Sequence, residues 1–105
     1  MNYGRAFKLL RERQSLSQKQ LAERIERSPS YISKIESQDR DPSMELLEEV
    51  SRIFRVPIYV ITLLATERSD VKNGAIYEQV RTTTTQIMDI LDEAHGSENS
   101  IDKRS

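Results

Sequence analysis

A short stretch at residues 28–36, SPSYISKIE, combines helix signals with an unusual surface. Ser28 suits a helix N-cap and Pro29 the first helical position, while Ile32 and Ile35 form a stripe that a core would bury. The other side of this helix carries hydroxyls and an ammonium group, on Ser30, Tyr31, Ser33 and Lys34. A helix that only had to be soluble could use Glu, Lys and Ala, which favour helix more than Ser and Tyr do. This face is therefore predicted to make polar contacts with a partner.

Few other side chains could carry catalysis or bind a metal. The chain of 105 residues has no Cys and a single histidine, His95. Disulfides and thiolate metal sites are therefore excluded, and one histidine cannot build a His-based metal cluster or an obvious catalytic triad. No Gly-rich phosphate loop is present either. We expect a protein that is not an enzyme and that uses no cofactor and no metal.

Charge is distributed unevenly along the chain, although the formal net charge is only −1. Residues 1–40 hold nine basic and five acidic side chains, a balance of +4, and residues 41–105 sum to −5. A basic amino-terminal part is what a module facing DNA would show, although many solvated surfaces are equally uneven.

Further helices must position the polar face. An apolar stripe around Phe7 and Leu10 predicts a first helix, and Ser17 with Gln20 fits a capping box that starts a second helix at Gln18. Only three residues then separate the second helix from the third, so the two must cross sharply. A fourth helix, capped at its start and ended by a proline, is predicted to turn four side chains inward: Met44, Leu47, Val50 and Phe54.

The segment IYVITLLA at residues 58–65 is apolar at every position except Thr62. It is predicted to be a fifth helix covered on more than one side, either by the carboxy-terminal segment or by a second chain, with Ile58 and Ile61 facing the core. A later helix carries an apolar seam at spacings of three and four: Tyr77, Val80, Thr84, Ile87, Leu91 and Ala94. From these two segments we expect a homodimer interface formed by Val60, Leu63, Leu64, Tyr77, Val80, Ile87 and Leu91. The run TTTT at residues 82–85 is interpreted as a weakly helical, solvated face.

The amino terminus, MNYGRAFKLL, contains charges and no apolar stretch of signal-peptide length. Nothing in the chain approaches the roughly 20 apolar residues of a membrane span. We expect a cytoplasmic protein that does not bind a membrane. Its predicted organisation is one domain at residues 1–66, a linker and a dimerisation or partner helix at residues 67–94, and a flexible polar tail at residues 95–105.

Residues 3–64 resemble the Cro and phage-repressor family of helix-turn-helix DNA-binding domains. The resemblance is carried by LSQKQLAERI, SPSYISKIE and DPSMELLEEVSRIFRVP, which occur in the right order and at the right separations. It implies an all-α fold, a five-helix lambda-repressor-like DNA-binding domain, followed here by a C-terminal helix. The first domain is therefore expected to be a helix-turn-helix DNA-binding domain.

The resemblance also implies which residues contact DNA, because the family inserts its third helix into the major groove. Base edges would be contacted by Pro29, Ser30, Ser33 and Lys34. The DNA backbone would be contacted by Gln18, Lys19, Ser28, Tyr31, Ser37 and Arg40. Arg11 and Glu36 would form a structural ion pair between the first and third helices, which would fix the angle of the recognition helix.

Four residues depart from the usual pattern of this family. Glu26 and Arg27 stand where the family usually has Gly and an apolar residue, and Gln38 and Asp39 replace a frequent Gly-Lys pair. Either Glu26 and Gln38 adopt positive φ at some conformational cost, or the two turns differ locally from those of the family. Asp39 would repel a phosphate.

Two functions follow from these patterns. The first is a sequence-specific regulator of transcription that binds double-stranded DNA, in particular a repressor that binds an inverted repeat as a homodimer. The alternative is an antitoxin-type interaction module, whose C-terminal segment binds a partner protein and whose DNA binding is autoregulatory. An antitoxin's partner segment would often be disordered alone, whereas a dimerisation helix should be ordered in the homodimer.

Overall fold

Every regular element that the structure describes is a helix. The computed structural model describes the backbone of residues 1–104 and the side chains of residues 1–95. Its elements are α1 (Tyr3–Arg13), α2 (Gln18–Arg24), α3 (Pro29–Glu36), α4 (Met44–Phe54), α5 (Ile58–Ala65), a 3₁₀ turn (Arg68–Asp70) and α6 (Gly74–Arg104). The predicted class, five helices followed by a C-terminal helix, is confirmed.

The first four helices begin where a polar side chain can cap them, at Asn2, Ser17, Ser28 and Ser43. Each of these side-chain oxygens accepts a hydrogen bond from the backbone N–H three residues later, at 2.9 to 3.2 Å. At Ser17 the capping box is complete, because the side chain of Gln20 also accepts from the Ser17 N–H at 2.7 Å. The predicted starts of α2, α3 and α4 are therefore confirmed.

The core lies where α1 to α5 meet. Its largest fully buried side chains come from all five helices: Phe7, Leu21, Ile32, Ile35, Leu46, Val50, Val60 and Ile61. At the edge of this core the Tyr3 hydroxyl lies 3.3 Å from the Thr62 hydroxyl, and the Asn2 N–H donates to the Ala65 carbonyl at 2.6 Å. The two contacts hold the start of α1 against the end of α5.

Of the residues predicted to face inward in α4 and α5, Leu47, Val50, Phe54 and Ile61 are buried, whereas Met44 and Ile58 differ from the prediction. Met44 is 61% exposed because it is the first residue of α4, and the register of that helix turns Leu46 inward instead. In α5 Ile58 is only partly buried, whereas Val60 is fully buried. The prediction that Val60 belongs to an interface between two copies was therefore wrong, because this side chain fills the core of a single chain.

Helix α6 folds back onto the domain, with Thr84 and Met88 buried on its inner side. The Thr84 hydroxyl can be buried because it donates to the Val80 carbonyl at 2.7 Å, and Arg13 of α1 forms an ion pair with Asp92 of α6. The TTTT run is thus only partly a solvated face. The helical backbone of α6 continues past Ala94 to Arg104; the flexible tail predicted for residues 95–105 falls mostly outside the described side chains and stays a prediction.

Two local features fix how α3 sits. Gly4 of α1 lies against the last turn of α3, where a Cβ atom on Gly4 would stand 2.5 Å from the Glu36 carbonyl oxygen and 2.6 Å from that of Ile35. The turns on either side of α3 each contain a residue at positive φ, Glu26 at 55° and Gln38 at 67°. Of the two alternatives predicted for these turns, positive φ at both residues is confirmed.

Candidate nucleic-acid interface

The outer side of α3 is polar and free of side-chain cover. Ile32 and Ile35 are fully buried beneath the helix, while the four predicted base-contacting residues are exposed: Pro29, Ser30, Ser33 and Lys34. The first two lie in the opening turn of α3 and the other two one turn later, so the four share one side of the helix. Within the described side chains, Lys34 has no carboxylate partner.

Several serines beside this face already have intramolecular partners. The Ser28 oxygen caps α3 and also lies 3.2 Å from the Ser30 hydroxyl. The Ser37 hydroxyl is shared between the Lys34 carbonyl at 3.2 Å and the Asp39 carboxylate at 3.0 Å. A hydroxyl can donate only one hydrogen bond at a time, so Ser37 must give up these partners to donate to another molecule. Ser28 keeps its own proton for another acceptor when the Ser30 hydroxyl is the donor of their shared contact.

Tyr31 holds two guanidinium groups at the edge of α3. The centre of its half-buried ring lies 5.3 Å from the guanidinium carbon of Arg27 and 4.8 Å from that of Arg40. Arg27 also donates to Glu49 of α4 at 3.2 Å, and this hydrogen bond raises the pKa of the guanidinium. Arg40 has no carboxylate partner within the described side chains, so its charge is available at this edge.

A network of hydrogen bonds beneath the polar face ties α1, α2 and α3 together. Arg11 donates through Nε and Nη2 to the two carboxylate oxygens of Glu36, at 2.8 and 2.9 Å, and through Nη1 to the Leu16 carbonyl at 2.8 Å. The hydrogen bond with Glu36 raises the pKa of Arg11. Gln18 Nε2 donates to the same carboxylate at 3.2 Å. The structure therefore places the Arg11 and Glu36 side chains, 12% and 6% exposed, in a nearly buried bidentate pair.

Gln18 and Lys19 occupy the start of α2, next to α3. The Gln18 side chain is half-buried on Glu36, so its carboxamide points inward, whereas its backbone N–H makes no hydrogen bond to the described part of the protein. Lys19 is exposed. A free N–H at a helix start is suited to an anion, because the helix dipole favours negative charge there.

Arg27 was not among the site residues predicted from the sequence, where it was noted only as a departure from the family's usual turn. Its contact with Tyr31 depends on α2 and α3 crossing at a three-residue link, which places residues 27 and 31 side by side. The signal available in the sequence was an arginine four residues before a surface tyrosine.

The residues predicted for a dimer interface do not form one continuous exposed surface. Leu63, Leu64, Tyr77 and Val80 line a hollow between α6 and the rest of the chain, and Ile87 and Leu91 pack against the core. The large apolar side chains that remain exposed nearby are Tyr59 at 65%, Ile76 at 50% and Ile90 at 65%.

These observations define a helical domain whose third helix presents a polar and partly cationic face over a rigid support. A family model described as helix-turn-helix matches residues 7–61, a little more than half of the chain. The chain belongs to this helix-turn-helix family of DNA-binding domains, of the Cro and phage-repressor type. The fold of this family binds double-stranded DNA and is not an enzyme fold.

Among individual proteins, the chain is similar to the competence pilus inhibition repressor of Acinetobacter baylyi (strain ATCC 33305 / BD413 / ADP1). The two are 38% identical over 65 residues, which is 62% of this chain and 59% of the relative. The chain thus matches only part of that repressor's length. No solved structure matches the chain.

No described helix is both long enough and apolar enough to cross a membrane.

Proposed function

We propose that the protein is a transcriptional repressor that binds an inverted-repeat operator as a symmetric homodimer. The observation that carries this proposal is the exposed face of α3 above the buried Ile32 and Ile35. On this face Lys34, and in the turn after it Arg40, have no carboxylate partner among the described side chains. Repression, rather than activation, is supported by the printed name of the similar Acinetobacter baylyi protein.

Each part of the face has a distinct proposed role. Lys34 donates to guanine O6 and N7, and Ser30 and Ser33 pair with neighbouring base edges, with Pro29 packing beside them. Arg40 contacts a phosphate from the position that the Tyr31 ring gives it, and Arg27 also contacts that ring. These contacts would both hold α3 in the major groove and set its orientation there.

The start of α2 is proposed to bind a second phosphate. The free Gln18 backbone N–H would donate to it, and Lys19 would add charge. The Gln18 side chain would then position this N–H without contacting DNA, because its hydrogen bond to Glu36 fixes the first turn of α2 relative to α3. Ser28 and Ser37 are proposed to make further backbone contacts, and that of Ser37 is the weaker because its hydroxyl must first leave an internal acceptor.

The proposed dimer surface is the outer face of α6 together with part of α5. Along α6 the exposed Ile76, Thr83 and Ile90 recur every seven residues on this face, and the partly buried Val80 and Ile87 lie at its border with the core. Tyr59 and Leu63 of α5 continue it. Two copies that pack these faces together would cover side chains that a lone copy leaves in water, which favours association.

The test is selection of bound duplexes from a random DNA pool at about 0.15 M salt. The proposal predicts recovery of an inverted repeat whose half-sites are about one DNA turn, ~34 Å, apart. Transcription from a promoter carrying that repeat should fall when the protein is added. Recovery of no preferred sequence would contradict specific DNA reading, and a rise in transcription would contradict repression.

A further inference from the structure

A hollow between α1, α5 and α6 is not used by the contacts proposed for DNA. It encloses about 420 Å³ and is open on one side. Its volume falls within the range of pockets that hold small molecules, roughly 300–1,000 Å³. It lies on α1, α5 and α6, so the exposed residues of α3 take no part in it.

The lining of this cavity is apolar inside and cationic at its edge. Leu9, Leu63, Leu64 and Met88 supply the apolar wall. Three arginines also line it, Arg5, Arg13 and Arg81, whereas no aspartate or glutamate does. A pocket with this lining favours a ligand that has an apolar body and an anionic group.

The three arginines differ in how far they are already engaged. Arg13 is paired with Asp92. Arg5 donates to the carbonyls of Leu64 and Thr66 at 3.2 and 2.9 Å, both through Nη2, which leaves Nε and Nη1 without a bond to the described residues. Arg81 is exposed and has only a long contact of 3.9 Å with Glu78. Arg5 and Arg81 therefore retain donors for a carboxylate.

Other polar groups of the lining do not compete for this role. The hydroxyls of Thr84 and Thr85 donate to carbonyls one turn earlier on α6, at 2.7 and 3.1 Å. The Tyr77 hydroxyl makes no hydrogen bond to the described residues and can donate to a ligand. The available donors thus belong mainly to guanidinium groups, which pair with carboxylates through two parallel hydrogen bonds.

We propose that this cavity binds a small amphipathic carboxylate, an aliphatic or aromatic acid held by Arg5 and Arg81 with its apolar body against Leu63 and Met88. Such a ligand would join α6 to α1 and α5.

Leu63 and Val80 also line a second hollow, of about 180 Å³, on the outer face of α6 proposed for dimerisation. Because two side chains are shared, the ligand would fix the dimer surface in place and strengthen association. The regulatory part of this proposal, stronger association of two copies, rests on the proposed function. The binding part, a carboxylate in the cavity, does not.

The binding part is tested on the protein without DNA, by titration with decanoate followed by NMR amide shifts. Decanol and decyltrimethylammonium, which share the chain but lack the negative charge, are the matched probes. We expect decanoate alone to bind, with shifts concentrated on α1, α5 and α6, and Arg81→Gln to weaken binding about tenfold. Arg52→Gln, an exposed arginine of α4 away from the cavity, is the control and should bind as the unmodified protein does.

Three results would overturn the assignment. The first is the absence of saturable decanoate binding by protein that melts normally. The second is equal binding of the three probes, and the third is equal binding of decanoate by the Arg81→Gln and Arg52→Gln variants, since the arginines would then play no part. A melting curve for each variant separates a lost site from a lost fold.

The regulatory part is tested by sedimentation with and without saturating decanoate, and by binding to the selected operator. We expect the dimer dissociation constant to fall at least about fivefold and operator affinity to rise with it. Decanoate binding with an unchanged or weakened dimer would overturn the coupling while leaving the site intact. Loss of operator binding in every condition would instead contradict the proposed function and leave the decanoate titration unaffected.

Discussion

Lys34 is the residue whose proposed role is most specific, because an ammonium group on α3 can distinguish guanine from the other bases. Lys34→Ala is expected to relax the preference at one base pair of each half-site, at a cost of about 1–3 kcal/mol for the preferred base. The protein should melt unchanged, since this side chain is exposed. Competition binding with operators substituted at single positions measures the effect.

Lys19→Ala provides the contrast. Lys19 lies at the start of α2, where only the DNA backbone is within reach in our proposal. Its loss should weaken all duplexes alike and lower the slope of log affinity against log salt by about one. If both lysine variants behaved in the same way, the division into base and backbone contacts would be incorrect.

The Arg11–Glu36 pair is predicted to affect stability rather than base preference. Arg11→Met would leave the carboxylate of Glu36 nearly buried without its partner and should lower the free energy of unfolding by about 3 kcal/mol. The double replacement Arg11→Met with Glu36→Met removes both charges and should cost less than either single change. Urea unfolding of the three variants measures this. A double variant that loses the sum of the single losses would contradict the argument.

At the residue scale the sequence predicted which side chains lie on the surface of α3 better than it predicted their partners. The exposed serines and Lys34 followed from the position of Ile32 and Ile35 in the helical period. By contrast, the hydrogen bond from Gln18 to Glu36 joins long side chains of α2 and α3, and the stacking of Arg27 on Tyr31 joins α3 to the turn before it. Such contacts depend on interhelical angles, which helical periodicity does not specify.

At the scale of elements, the packing of α1 against α3 depends on the absence of a side chain at Gly4. In an exposed helix, replacing Gly by Ala stabilises by about 1 kcal/mol. Gly4→Ala should do the opposite, with a loss of at least about 2 kcal/mol, because the new methyl would meet two backbone carbonyls that cannot move aside alone. Thermal unfolding provides the measurement.

Gly74→Ala is the matched control, at the start of α6. A Cβ there would lie 3.0 Å from the end of the flexible Arg68 side chain, which can shift. We expect a neutral or slightly stabilising effect. Equal losses in the two variants would show that the contact between α1 and α3 is not the cause.

The turn between α2 and α3 carries a conformational cost at Glu26. A residue other than glycine in the left-handed region costs about 1–2 kcal/mol, while glycine loses somewhat more entropy on folding. Glu26→Gly is therefore expected to stabilise by about 0.5–1 kcal/mol in urea unfolding. Glu23→Gly, on the exposed side of α2, should destabilise by about 1 kcal/mol. A loss in both variants would rule out relief of strain.

Element starts were predictable because caps act within four residues, as at Ser17 and Ser43. The residues that face the core were less predictable than the starts of the helices. Val60 and Ile58 are both apolar, and the choice between them depends on where α1 crosses α5. In α6 the predicted seam included Thr84, which is buried, but continued to Ile87 and so missed Met88, which is buried one turn after Thr84.

At the scale of the whole molecule, the outer face of α6 is predicted to hold two copies together. Replacing Ile76 and Ile90 with Gln should convert a dimer into a monomer at micromolar concentration, since both side chains are large, apolar and exposed. Light scattering measures the mass. Met44→Gln, an equally exposed apolar residue at the start of α4, should leave the dimer unchanged.

The outcomes of that measurement separate the alternatives. A monomeric mass for the unmodified chain would contradict the homodimer and favour a protein partner on the C-terminal segment. A dimer that survives both replacements would show that the copies associate through another surface.

The four tyrosines of this tryptophan-free chain are distributed so that each lies in a different region. Tyr31 stands at the edge of α3, Tyr59 on the outer face of α5, Tyr77 in the wall of the cavity, and Tyr3 at the contact between α1 and α5. Incorporation of 3-fluorotyrosine would therefore give four fluorine resonances in one sample. Binding of DNA should shift the resonance of Tyr31, and association of two copies should shift that of Tyr59. Decanoate should shift the resonance of Tyr77, while that of Tyr3 reports whether the domain stays folded.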